Sequence, residues 1–331
     1  MQKFDSVLIT GGAGYIGSVL TPKLINLGYK VRILDSLIYG DSGISKFVNE
    51  GSVELISEDI RKKEVLEKAV KGIDCIIHLA AIVGEPLCKK IPLAAKQINE
   101  EATSNLIQIA KKSVKRFVYA STCSNYGSSE NIVNEESPVS SLSLYSETKV
   151  NSESKILSIR NENMESCILR FATAFGISPR MRFDLLLQEF IRDAWVNKKI
   201  SIFGPNYWRP LVHVSDIANA CSLILESKNE QVSHQIYNVG DDTQNFTKLQ
   251  LAEMIKKYLP ETEIEIIESK IDPRNYKVSF EKIKTKLDYK ISTTVDDEIK
   301  EIVKRIKIND LDPRQSEFSN MSKMTEKVKT F

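Results

Sequence analysis

The sequence predicts an α/β fold, a doubly wound parallel sheet with a smaller, interleaved C-terminal lobe. Two observations predict it. From the start of the chain to about residue 121, short apolar runs alternate with amphipathic stretches, the pattern of β-α-β units around a sheet buried on both faces. A glycine-rich loop, Gly11-Gly12-Ala13-Gly14-Tyr15-Ile16-Gly17, closes the first apolar run and opens a helical one.

Taken in order, strands are predicted at Ser6 to Thr10, Lys30 to Leu34, Val53 to Ser57, Cys75 to Leu79 and Arg116 to Ser121. Further strands are expected at Ser166 to Phe171 and Gln235 to Val239. Right-handed crossovers between such strands place the ligand beyond their carboxyl ends. After Phe175 the prolines at 179, 205 and 210 and irregular polar stretches mark a substrate lobe. The expected division is a dinucleotide-binding domain over 1–175 with a return strand near 235–240, a substrate lobe over 176–308, and a flexible tail over 309–331. That tail is rich in Ser, Lys, Glu and Asn and shows little periodicity.

Apolar residues make up 42% of the 331, enough for a sizeable core, and 46 Lys+Arg nearly cancel 44 Asp+Glu. The balance gives no reason to expect a nucleic-acid or membrane partner. Five scattered cysteines without paired spacing read as free thiols in a reducing compartment, and no metal-ligand spacing is present. With no basic segment leading into a long apolar run, the expected location is the cytoplasm.

Backbone N–H groups of a glycine loop at a helix N-terminus approach a pyrophosphate closely, so Gly11, Gly14, Tyr15, Ile16 and Gly17 are cofactor candidates. The Gly-x-x-Gly-x-x-Gly spacing is one residue longer than the common dinucleotide fingerprint. Asp35 ends the second strand, where a carboxylate accepts hydrogen bonds from the adenosine ribose and repels an added phosphate; the cofactor is therefore read as NAD. Later comes Tyr145-Ser146-Glu147-Thr148-Lys149, which on a helix puts Tyr145 and Lys149 on one face. Free tyrosine ionises near pH ~10, so a base at neutral pH needs neighbouring positive charge, here the Lys149 ammonium together with the positive nicotinamide of bound NAD. Thr122, at the end of the fifth strand, is the candidate to orient the reacting oxygen. Together these groups describe hydride removal from a carbon bearing a hydroxyl.

The ordered set of motifs resembles extended short-chain dehydrogenase/reductases, within them the nucleotide-sugar epimerase/dehydratase family, over about residues 5–305. The resemblance implies a Rossmann-type fold with NAD and a nucleotide-diphosphate sugar as ligands. It assigns Asp59 and Ile60 to the adenine, and Leu79, Ala80, Ala81 and Asn99 to the cofactor's side. Leu169 to Gly176 is similar to the segment leading to the substrate, with Thr173 where many epimerases have asparagine. Trp208 to Asp216 and Asp272 to Lys277 resemble nucleotide-sugar segments, so Arg182, Arg209 and Arg274 are the diphosphate candidates. Dehydratases of the family carry Asp-Glu after the threonine; here stand Cys123 and Ser124, which are expected to border the substrate. Cys123 reads more readily as a small apolar filler than as an acid or base. Hydride chemistry at C4 survives, as a 4-epimerase or as a 4-dehydrogenase. The Gly84 to Lys90 and Gly176 to Leu185 segments are similar to a subgroup containing GDP-heptose 4-dehydrogenases. A non-catalytic NAD-binding protein is the alternative from another class. The resemblance also implies a homodimer through a four-helix bundle, built from the helices around 100–112 and 144–157 with Leu106, Ile109, Val150 and Ile156.

Overall fold

The computed structural model describes residues 4–159, 163–268 and 274–327. Its centre is a seven-stranded parallel sheet of β1 (Ser6–Thr10), β2 (Lys30–Asp35), β3 (Val53–Ser57), β4 (Cys75–His78), β5 (Arg116–Thr122), β6 (Glu165–Phe171) and β7 (Gln235–Val239). The strands lie in the order β7-β6-β5-β4-β1-β2-β3. Side-chain alternation sends Val7 and Ile9 to one face and Leu8 to the other, and each face carries its own apolar cluster. A buried sheet of this kind needs helices on both sides, which explains the near-continuous apolar runs of its strands.

β7 is the return strand, pairing with β6 from Gln235 opposite Cys167 to Val239 opposite Phe171. The chain therefore leaves the sheet after β6, builds much of the second lobe, and comes back. Arg116 fastens this return: its buried guanidinium bonds Glu165 and the carbonyls of Ile224, Leu225 and Ser227. The second lobe has a third cluster, including Phe175, Phe190, Leu211, Ile255 and Ile299. It also has a three-stranded sheet of Thr173–Phe175, Trp208–His213 and Asn245–Thr247. Two parallel pairs complete the strands: Lys199–Phe203 with Glu263–Ile267, and Ser128–Val133 with Asn275–Val278.

The described residues beyond Asn309 pack against both lobes, through Leu311 and Phe318 on one and Met321 and Met324 on the other. Phe318 stacks near Phe183 with ring centres 6.0 Å apart, a helix follows over Asn320–Lys327, and Met324 is buried. These sparse apolar residues dock on other elements, so they show no period of their own. The helix expected around 100–112 runs as a π-helical turn, Gln97–Ala102, into an α-helix, Thr103–Ala110. Leu106 and Ile156 are fully buried inside this one chain, so burial accounts for their spacing. All five cysteines are buried and unpaired. Among the described residues no helix is long and apolar enough to cross a membrane, and no cluster of metal-ligating side chains occurs.

Candidate active site

A cleft of about 330 Å³ opens at the carboxyl ends of the strands, between the sheet and the second lobe. The glycine loop forms its floor. Gly11 has φ +72°, and a Cβ there would stand 2.7 Å from the backbone of Ala80; a Cβ on Gly17 would stand 2.5 Å from Gly12. These two glycines let the loop, the first helix turn and the strand β4 exit pack together. At Gly14 the nearest atom to an added Cβ is the Gly11 oxygen at 3.2 Å, and Gly14 lines the cleft, so bare backbone faces the cleft there.

Asp35 ties this floor to the end of β2. Its carboxylate accepts the Ala13 N–H at 3.0 Å and the Leu37 N–H at 2.8 Å while still facing the cleft. Burial raises its pKa, and the two backbone donors act against that rise. Asp59 and Ile60 also line this end; Asp59 is held by Arg61, whose hydrogen bonds outweigh burial and lower the carboxyl pKa. Leu79, Ala80 and Ala81 form the opposite wall.

A reciprocal cap starts the helix Leu144–Ser158: the Ser143 hydroxyl accepts the Ser146 N–H, and the Ser146 hydroxyl accepts the Ser143 N–H. That fixes Tyr145 in the first turn and Lys149 one turn later, and both line the cleft with Thr122. Lys149 donates to the Ala120 carbonyl at 2.8 Å, and its Nζ lies 4.7 Å from the Tyr119 ring centre and 6.0 Å from that of Tyr145. Burial lowers the Lys149 pKa to about 8, with Cys88 and Glu153 pulling the other way. Burial pushes the Tyr145 pKa up, against the pull of Arg182 and Arg274. The Thr122 hydroxyl accepts the Ser124 N–H at 3.1 Å, which leaves its proton free to point into the cleft.

A buried polar network lies directly behind these groups. Glu153, one further turn along the same helix face, pairs with Arg170 at 2.7 Å, each side chain 5% exposed. Glu153 also accepts from the Ser121 hydroxyl and from Asn125 at 2.9 Å, and Arg170 donates to the Tyr126 hydroxyl at 3.0 Å. This network fixes the β5 end from which Thr122 projects.

Ser124, Thr173, Arg182 and Arg274 line the cleft as expected; Asp272 and Pro273 lie outside the described residues. Three candidates do not line it. Cys123 turns into the core, its Sγ 3.2 Å from the Arg170 carbonyl, because the 3₁₀ turn Cys123–Tyr126 rotates it off the β5 face. Asn99 is buried behind the wall, gripping both backbone groups of Ile82, so it shapes the wall from behind. Arg209 sits a layer back and donates to the Arg274 carbonyl at 2.6 Å, which positions Arg274. His78 bridges the Thr10 and Thr103 hydroxyls and burial lowers its pKa to about 3, so the ring is neutral. His213 caps the helix Val214–Glu226.

Sequence reasoning missed Ile38, Tyr39, Arg180 and Asn320, all of which line the cleft. Arg180 had a signal, since it stands two residues before Arg182. Asn320 had none.

The chain matches the profile of the NAD dependent epimerase/dehydratase family over residues 7–240. It belongs to that family. It is thus an NAD-dependent enzyme of the extended short-chain dehydrogenase/reductase type. Similar proteins include UDP-glucuronic acid decarboxylase 1 of Xenopus tropicalis, 28% identical over 86% of this chain and 68% of that protein. The UDP-glucose 4-epimerase of Bacillus subtilis is 27% identical over 76% of this chain and 81% of its own length. Among solved structures, the UDP-glucuronic acid 4-epimerase of Bacillus cereus, in complex with UDP-glucuronic acid and NAD, superposes with a TM-score of 0.81. It is 26% identical, over 92% of this chain and 99% of that one. The cleft's residues fit a dinucleotide: bare glycine backbone at a helix start, a carboxylate at Asp35 facing the cleft from the end of β2, and apolar walls suited to rings.

Proposed function

We propose that this enzyme oxidises C4 of a nucleotide-diphosphate sugar and returns the hydride to the opposite face, as a 4-epimerase. The observation that carries the reading is the composition of the cleft. Thr122, Tyr145 and Lys149 share it with the dinucleotide floor, whereas its lining carboxylates among the described residues are Asp35, Glu58 and Asp59, all on the adenosine side. Eliminating water or moving a C5 proton needs a further acid or base near the sugar, and the lining beside Tyr145 supplies no carboxylate.

When bound, oxidised nicotinamide supplies the hydride acceptor and a positive charge. Tyr145 Oη takes the C4 hydroxyl proton. Burial raises its pKa, so the positive charge of the bound nicotinamide is what favours the phenolate. Thr122 Oγ1 donates to the reacting oxygen and aims it at Tyr145. Lys149 holds the β5 exit through Ala120 and adds positive potential. Arg182 and Arg274 hold the diphosphate, with Arg182 oriented by Asp184 at 2.8 Å.

A second reading is a 4-dehydrogenase that releases the keto sugar of a GDP-heptose-like substrate; the Gly84 to Lys90 and Gly176 to Leu185 segments favour it. Incubation with a panel of UDP and GDP sugars in deuterated water separates the two. Product inverted at C4 with only transient nicotinamide reduction supports the epimerase, and net reduction supports the dehydrogenase. Pairing of two copies through Gln97–Ala110 and Leu144–Ser158 belongs to the same reading, with the half-buried Ile109 and Val150 at the contact. A monomer by light scattering at micromolar concentration would remove it.

A further inference from the structure

The C-terminal stretch is polar overall, yet Leu311, Phe318, Met321 and Met324 punctuate it. Leu311 and Phe318 pack on the second lobe's cluster, and the Phe318 carbonyl accepts the Phe183 N–H at 2.8 Å. Met321 and Met324 instead pack on the dinucleotide domain, in the cluster that also takes Ile38 and Tyr39 from the loop after β2. The segment therefore crosses the cleft from one lobe to the other.

Asn320 sits at the crossing and lines the cleft. Its backbone N–H donates to Asp184 at 2.8 Å, the same carboxylate that orients Arg182. The residue is 7% exposed, and its side-chain oxygen accepts no hydrogen bond. A buried amide oxygen without a donor forfeits its hydrogen bond to water, so a donor from a bound ligand would recover that loss. The Tyr39 hydroxyl and Arg180 Nη2 are in the same condition, with the Arg180 guanidinium 4.6 Å from the Tyr39 ring centre. Both line the cleft together with Asp35. Tyr39 follows Asp35 on one loop, Arg180 acts electrostatically on Asp35, and Ser178 beside it bonds Ser18 of the first helix at 2.9 Å.

We infer that the C-terminal segment is a strap that retains the dinucleotide, with Asn320 Oδ1 accepting a hydrogen bond from a hydroxyl or amino group of its adenosine half. Tyr39 and Arg180 supply donors on the same side. The inference rests on the reading that the cleft holds NAD, and it extends that reading. Asn320 lies beyond residue 240, where the family match ends. A strapped cofactor suits an enzyme that gives the hydride back, because the nicotinamide never has to leave between turnovers.

The test uses the full-length chain with NADH as the probe, by fluorescence titration and by chase with excess NAD. Asn320→Ala should weaken NADH binding about tenfold, the loss of one hydrogen bond, and Met324→Glu, which unseats the strap, should speed release at least as much. Circular dichroism checks that each variant is folded. Affinity and release within twofold of wild type in Asn320→Ala would overturn the inference, as would an Asn320→Ala effect confined to the KM for the sugar nucleotide. A wild-type chain that binds no NADH would instead overturn the cofactor reading beneath it.

Discussion

Glu153→Gln tests whether the buried network behind the catalytic groups holds the β5 end in place. The carboxylate accepts from Ser121, from Asn125 at 2.9 Å and from Arg170 at 2.7 and 3.1 Å. Glutamine keeps the shape and one acceptor oxygen but removes the negative charge, so the Arg170 guanidinium is left buried without a counter-ion. Breaking one side of such a pair costs about 3–5 kcal/mol. At roughly 2 °C per kcal/mol for a chain of this size, the melting temperature should fall by about 6–10 °C. Adding Arg170→Met removes the stranded charge, so the double variant should be less destabilised than the sum of the singles by more than about 1 kcal/mol. Thermal melts followed by circular dichroism measure both. A Glu153→Gln melt within about 2 °C of wild type, or an additive cycle, would refute the reasoning.

Three further outcomes follow from the site. Tyr145→Phe should bind NADH normally and lose about 10²–10⁴ in kcat on the sugar nucleotide it turns over, read by coupled assay; equal kcat contradicts the proton-transfer role. Asp35→Asn should weaken NAD binding about 10–100-fold and narrow the preference over NADP. Because burial raises the Asp35 pKa, its charge is lost at a higher pH than for an ordinary carboxylate, so wild-type NAD affinity should fall early on acidification while the variant's stays flat in calorimetric titrations. Lys149 titrates near 8 when folded against 10.5 in the unfolded chain. Between those values the unfolded chain alone holds the proton, so stability rises with pH there, by on the order of 3 kcal/mol relative to Lys149→Met; parallel melting curves for the two proteins across pH 8–10 would contradict this.

The central sheet was legible because each of its strands is a short apolar run bounded by turns: β1, β3 and β7 begin and end where the pattern predicts. The glycine loop, Asp35, Tyr145 and Lys149 were legible for a similar reason, since local spacing alone fixes their geometry. What failed was orientation set by tertiary context. Cys123 follows Thr122 directly, yet one 3₁₀ turn decides that the threonine meets the cleft and the cysteine meets the core. Arg209 and Asn99 belong to the right segments but support the wall from behind. The pairing of Ser128–Val133 with Asn275–Val278 joins distant stretches with no local signal. Asn320 was invisible because its placement depends on Phe318 and Met324 finding two different lobes.

The burial of every native cysteine has a practical side. Burial pushes the thiol pKa of Cys75, Cys88, Cys123, Cys167 and Cys221 upward, so each stays protonated and shielded from electrophiles near neutral pH. A maleimide dye offered to the folded enzyme should therefore find nothing to react with. One thiol engineered onto the surface then becomes the sole attachment point, and a fluorophore placed there reports from a single known position without background labelling.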